Sequence, residues 1–167
     1  MVGCATGRVQ SEAPMDTFDD IIPEYQSSII KRYQWWTLLL NQDQRYLGRA
    51  VLWLKREGEM QRLSDLTLSE FREMRTALRE YDRAIRQEWC ADHMNDAWLG
   101  NFFHEHGGQG HMHLIPRYKN ERIFAGVTFI DGRWGKNYTP YEPYKPEEGV
   151  FLTIRDELRK RIRGSVR

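Results

Sequence analysis

"HEHGGQGHMHLIPRY", residues 104–118, holds four of the chain's five histidines. Its second half reads as a strand. In a strand alternate side chains share a face, so Gln109, His111 and His113 point one way. Gly110, Met112 and Leu114 point the other way, toward a core. Three nitrogen-bearing side chains in line are costly to bury and odd to expose without a use. Spaced about 7 Å apart by the strand rise, they form a ladder suited to a chain of phosphates. Imidazole, with an ordinary pKa near ~6.5, serves as a neutral nucleophile or a cationic donor at working pH. Pro116 limits the strand's pairing, and Arg117 adds a positive charge at its exit.

Working outward, "WWTLLLN" and "GRAVLWLKR" are short apolar runs joined by the polar, glycine-containing loop "NQDQRYLG". They read as two strands with a hairpin-like connection. Leu52 and Leu54 face one way, Val51 and Trp53 the other, and apolar residues on both faces mark a central, covered strand. The clearest helix is "LSDLTLSEFREMRTALREYDRAIRQEW". Thr67 and Glu70 make a capping box at its start. Phe71, Met74, Leu78, Tyr81, Ile85 and Trp89 recur at spacings of three and four as its core stripe. The arginines opposite read as a solvated face.

"DAWLGNFF" and "GHMHLIPRY" are two further strands, and "GVTFI" a short one within an irregular aromatic-rich region from Lys119 to Pro146. "DDIIPEYQSSIIKRYQWW" reads as a short helix or turn leading into the fold. "PEEGVFLTIRDELRKRIR" is a second amphipathic helix, with Phe151, Ile154, Leu158 and Ile162 on its buried side. Strands and helices in separate runs predict an α+β fold. The expected form is an antiparallel sheet of about five strands packed with the long helix and a C-terminal helix.

The 167 residues suffice for one domain with its own core. Residues 1–16 are small and polar and read as a disordered extension, with residues 17–167 as the domain; Met15 is a second candidate start. The formal net charge of +1 provides no general basic field for nucleic acid. Two cysteines make no disulfide framework, which favours a reducing, cytoplasmic setting. No apolar run approaches the ~18 residues of a membrane helix.

The string "QGHMHLIPRY" resembles the motif of the histidine-triad superfamily of nucleotide hydrolases and transferases, with three alternating histidines and a closing Pro-Arg. His111 and His113 match the second and third histidines; Gln109 replaces the first. The likeness extends from Tyr33 to Tyr144. Asn41 matches a residue that binds ribose hydroxyls in the family, Gly48 the glycine of the first loop, and Asn101 a phosphate-side position before the triad strand. Arg117 belongs with the substrate-binding set. The stretch "FFHEHGG" is about four residues longer than usual and brings His104 and His106, which are candidates to replace the missing first histidine or simply lie on a surface loop.

The resemblance implies His111 as nucleophile at the α-phosphorus of a nucleotide, with a covalent nucleotidyl-histidine intermediate. His113 and Gln109 would stabilise the oxygens and the leaving group, although a glutamine side chain cannot carry a positive charge. It implies a homodimer and no cofactor. Two other readings stay open: a nucleotide-binding module without turnover, and a zinc site built from His104, Glu105, His106, His111 and His113. The base, the leaving group and the acceptor are not legible.

Overall fold

We describe residues 23–56, 62–101 and 108–163 of a computed structural model of the chain. The fold is α+β. Five antiparallel strands form one sheet in the order β1-β2-β3-β5-β4: β1 Ile29–Arg32, β2 Trp36–Leu40, β3 Ala50–Leu54, β4 His93–Trp98 and β5 His111–Arg117. Helix α1, Leu68–Trp89, links β3 to β4. Helix α2, Glu148–Arg163, ends the described chain. A separate hairpin pairs β6, Arg122–Phe124, with β7, Val127–Phe129. No helix among the described residues is long and apolar enough to cross a membrane.

The two faces of β3 serve different purposes. Leu52 and Leu54 join Trp36, Leu38, Leu40, Met112 and Leu114 in a core closed by Tyr81, Ile85 and Ile154 from the helices. Burying side chains of this size contributes about 1.5–3 kcal/mol each. Val51 and Trp53 lie on the opposite face with Ile29 and Leu39, beneath Tyr25 of the 3-10 turn Pro23–Ser28. That second cluster is small and lies on the histidine side of the sheet, opposite the main core.

Helix α1 begins where its sequence says it should. The Thr67 hydroxyl accepts from the Glu70 N–H at 3.3 Å, and the Glu70 carboxylate accepts from the Thr67 N–H at 2.7 Å. Glu70, only 1% exposed, also takes two hydrogen bonds from Arg56, at 2.6 and 3.2 Å. Its backbone carbonyl accepts from the Trp36 indole at 2.9 Å, which ties the helix start to β2. At the other end Arg122 donates to the carbonyls of Trp89 and Cys90, at 2.7 and 2.8 Å, satisfying groups that the helix leaves unpaired.

The buried stripe of α1 differs from the expected one at its start. Phe71 is 47% exposed, while Ala77 and Ala84 are buried beside Met74, Tyr81, Ile85 and Trp89. The two alanines bring the helix close to the sheet, and this turns Phe71 outward. The edge strand covers His93–Trp98 and not residues 96–103, because its pairing runs from His93 opposite Arg117 to Trp98 opposite Met112. Residues 102 and 103 lie outside the described residues. Strand β1 replaces the second half of the expected helix or turn at residues 19–36, held by β2 and by Arg159, which donates to the Ile29 carbonyl at 2.8 Å. The expected strand at residues 126–130 is present as β7, paired to an unanticipated β6. The C-terminal helix buries Ile154, Leu158 and Ile162 as expected.

After β7 the chain runs as a strap across the loop between β2 and β3. Asp131 anchors its start. Its carboxylate receives Arg117 Nε at 2.7 Å and Nη2 at 3.1 Å, in a buried two-point ion pair. Farther on, Tyr138 O accepts from the Tyr46 hydroxyl at 2.7 Å, Glu142 O from Arg45 Nε at 2.7 Å, and Tyr144 O from the Gln44 N–H at 2.7 Å.

Two stability predictions follow from these anchors. Burial alone would raise the Glu70 carboxyl, but the Arg56 and Thr67 hydrogen bonds outweigh it and hold it below the usual glutamate range. A lowered folded-state pKa gives stability that is fully present above the unfolded glutamate value near ~4.3 and is lost as pH falls through the folded one. Thermal unfolding of Glu70→Gln against wild type should therefore show a gap at neutral pH that narrows in acid; a gap independent of pH would refute this. Asp131→Ala should cost about 3–5 kcal/mol in denaturant unfolding, because it strands a buried guanidinium.

Candidate active site

The face of the sheet opposite the main core is organised by the register of three strands. Trp53 lies opposite His111 and Val51 opposite His113 on β3 and β5. Leu39 of β2 lies opposite Val51. These side chains, with Tyr25, enclose one end of a cleft of about 280 Å³; Asn41, Asp43 and Lys145 close the other end.

His111 is 2% exposed, and its ring stacks on the Trp53 indole with centroids 5.1 Å apart and planes 29° apart. The His113 ring meets it edge-on, also at 5.1 Å. His111 Nδ1 lies 3.3 Å from the Gln109 carbonyl. One ring nitrogen thus has a local backbone partner, and the indole fixes the ring plane. An imidazole held in this way can present its other nitrogen in a set direction.

Gln109 occupies a different place from the one expected. Its side chain is 3% exposed and its amide donates to the Lys55 carbonyl at 3.1 Å. It does not line the cleft. At the entrance of β5 the side chain pins that strand to the exit of β3, so its predicted place beside the leaving group is revised. Arg117 is revised for a similar reason. Its guanidinium is buried against Asp131 and also donates to the carbonyls of Arg133 and Lys136, at 2.6 and 3.2 Å. It braces the strap and does not face the cleft.

Asn101 sits exposed in a helical turn after β4 and is not among the cleft residues. His104 and His106, the candidate substitutes for the first histidine, lie outside the described residues, as does Glu105 of the alternative zinc set. Among the described residues no three His, Cys, Asp or Glu side chains converge as a metal set. The fifth histidine, His93, stacks on Trp134 at 5.5 Å, away from this cleft.

Asn41 stands where β2 ends. Its side-chain oxygen accepts from the Asp43 N–H at 2.9 Å. The loop it begins is closed from inside by Gln44, which is fully buried. The Gln44 amide donates to the carbonyls of Asn41 and Arg49, at 2.5 and 2.9 Å, and its oxygen accepts from the Gly48 N–H at 2.8 Å. Gly48 has φ +83°, and a Cβ there would come within 2.6 Å of Ile85 and 2.7 Å of Trp89. Only glycine fits that approach. Sequence reasoning noted Gly48 but missed Gln44; an uncharged, hydrogen-bonding residue in a short polar loop gives no pattern to find.

Asp43 holds the outside of the same loop. It pairs with Arg49, which also contacts the Tyr141 hydroxyl. Burial, together with Asp43, pushes the Tyr141 phenol up to about 12, so it stays protonated. A larger surface groove, about 580 Å³, lies elsewhere, between the β1–β2 turn and α1. Three of its charged groups are engaged: Lys31 pairs with Glu80 at 2.6 Å, and Glu73 accepts from the Gln34 and Trp35 N–H groups at 3.0 and 2.5 Å. The histidine cleft is smaller, and it joins an apolar wall to two imidazoles capable of acid–base and nucleophilic work.

No family model matches the sequence, and no curated protein matches it. Solved structures do. A histidine triad protein from Bradyrhizobium japonicum aligns with TM-score 0.60 at 21% identity, covering 80% of this chain and 89% of its own. One from Sinorhizobium meliloti aligns with TM-score 0.61 at 19% identity, covering 90% and 99%. A diadenosine triphosphate hydrolase from Plasmodium falciparum aligns with TM-score 0.57 at 11% identity, covering 85% and 80%. The strand order, the long capped helix and these alignments together establish that the chain has the histidine-triad fold.

Proposed function

We propose that the protein is a histidine-triad enzyme that hydrolyses or transfers a nucleotidyl group through His111. The observation that carries this reading is the held imidazole: His111 lies in the cleft between the Trp53 ring and His113, with Nδ1 beside a backbone carbonyl. In this reading Nδ1 carries the hydrogen and Nε2 the lone pair. Nε2 attacks the α-phosphorus, a P–N bond forms, and the bond from phosphorus to the leaving group breaks. Water, or another acceptor, then attacks the same phosphorus. The P–N bond breaks and His111 is restored: with water the nucleoside monophosphate leaves and the water proton passes to solvent, and with another acceptor the nucleotidylated acceptor leaves. One difficult displacement is thereby divided into two easier ones.

His113 supplies a donor to the phosphate oxygens from the next position on the same face. In this reading Asn41, which lines the cleft, binds ribose at its far end, and the apolar surfaces of Leu39, Val51 and Tyr25 offer a wall for a base. The similarity to a diadenosine triphosphate hydrolase supports a phosphorus-centred reaction of a nucleotide. A binding module without turnover would keep the wall and Asn41 but would not require the ordered imidazole. The same reading includes a two-fold homodimer. Its support is β4, which stands at the end of the sheet order and pairs only with β5 among the described residues.

The test is release of nucleoside monophosphate from dinucleoside polyphosphates, nucleoside phosphoramidates and adenylylated adducts by wild type and His111→Ala. The variant should lose about 10⁴-fold or more in kcat. Quenched wild type should gain the mass of one nucleotidyl group, and the variant should not. Turnover that survives in His111→Ala would overturn the assignment.

A further inference from the structure

A phosphate-binding cleft needs positive charge, and the histidine strand does not bring the one the sequence promised. Arg117 is committed to Asp131. Among the described residues only one lysine or arginine lines the cleft: Lys145. It comes from the strap, 34 positions beyond His111 in the sequence.

Its position is fixed through its neighbour. The Tyr144 N–H donates to Asp43 Oδ1 at 2.9 Å, and the Tyr144 carbonyl accepts from the Gln44 N–H at 2.7 Å. These two bonds hold the backbone just before Lys145 against the loop that follows Asn41. The side chain itself is exposed and makes no hydrogen bond or ion pair among the described residues.

The local charge balance favours an anion there. Asp43 is the one carboxylate lining the cleft among the described residues. One of its oxygens pairs with Arg49; the other accepts from the N–H groups of Arg45 and Tyr144, at 3.1 and 2.9 Å. Its charge is therefore already answered. Asn41 is neutral, and with its oxygen taken by the Asp43 N–H its amide NH₂ is the group left to donate. The carboxylates nearest to Lys145 on the strap, Glu142 and Glu147, are solvent-exposed, where screening weakens them.

Distance separates this charge from the reaction. The Asn41 end lies two alternate positions along the sheet from the His111–Trp53 pair, about 13 Å at ~3.3 Å per residue. A phosphate joined to His111 is not the natural partner of Lys145.

We propose that Lys145 binds a second phosphate of the ligand, one that His111 does not attack, and that the substrates are nucleotides carrying such a group. At the Asn41 end that second phosphate is a 2′- or 3′-phosphate on the ribose, because the β- and γ-phosphates lead away from the ribose, beyond His111. The inference rests on the nucleotide reading of the cleft but does not require turnover.

The test is calorimetric titration of the full chain with AMP, adenosine 2′,5′-bisphosphate, adenosine 3′,5′-bisphosphate and ATP. Wild type should bind at least one of the two-phosphate probes roughly tenfold more tightly than AMP, the lower range for a charge-assisted bond at an exposed site. The bisphosphate with the larger margin identifies the ribose position, and a Lys145-dependent margin for ATP alone overturns the proposal. In Lys145→Ala the margin should vanish; in Lys145→Arg it should persist. A melting temperature shared by the three proteins excludes misfolding, as expected for an exposed side chain. A margin unchanged in Lys145→Ala, or no margin or no binding in wild type, overturns the proposal. A Lys145-dependent margin in a protein that turns over no substrate would sink the hydrolytic reading and leave Lys145 as assigned. Turnover of a single-phosphate substrate without any margin would do the reverse.

Discussion

The antiparallel pairing of β3 with β5 is the constraint on which the rest depends. With Val51 opposite His113 and Trp53 opposite His111, every apolar residue of β3 and β5 is committed to one face or the other. A slip of β5 by one residue would send Met112 and Leu114 to the cleft and bury both histidines in the core. The pairing is enforced from both ends. Gln109 joins the start of β5 to Lys55, and the Leu54 N–H donates to the Gly110 carbonyl at 2.9 Å. At the far end, Arg117 and Asp131 lock the exit of β5 to the strap. Both devices use residues that looked like site groups in the sequence.

That exchange of roles shows what the sequence makes legible. Period-two alternation at 109–114 and the apolar runs of β2 and β3 carry strong local signals, because both faces of a central strand are constrained at once. The capping box at Thr67 is equally local. By contrast β1 and β6 have four and three residues, too few for any period to emerge, and their pairing partners decide them. The edge strand β4 reads as polar because its side chains are only partly covered. Its pairing with β5, and not its composition, makes it a strand.

The site was legible in a similar proportion. Strand alternation puts His111 and His113 on one face, Asn41 came from the family resemblance, and all three line one cleft. Whether an arginine meets a ligand or a carboxylate depends on Asp131, which reaches Arg117 from an irregular segment 14 positions later. Trp53 looked like one more core residue of a covered strand; its indole instead gives the His111 ring a flat neighbour. Lys145 carries no motif, since only the wrapping of the strap brings it to Asn41. Long-range placement of this kind depends on the whole tertiary structure and leaves no local trace in composition.

The strap also dictates when the site can exist. The bonds from Tyr46 to Tyr138, Arg45 to Glu142 and Asp43 to Tyr144 span 92, 97 and 101 positions of the chain. Contacts this far apart close late, because the loop entropy they require is lost before they return any stability. A chain emerging from synthesis can form β2, β3, α1 and the histidine strand while the loop after Asn41 still lacks its outer partners. Gln44 can shape that loop from within, but Asp43, Arg45 and Tyr46 must wait for the residues after 137. Assembly therefore proceeds from scaffold to site, and the ligand-binding end of the cleft is among the last parts of the molecule to become ordered.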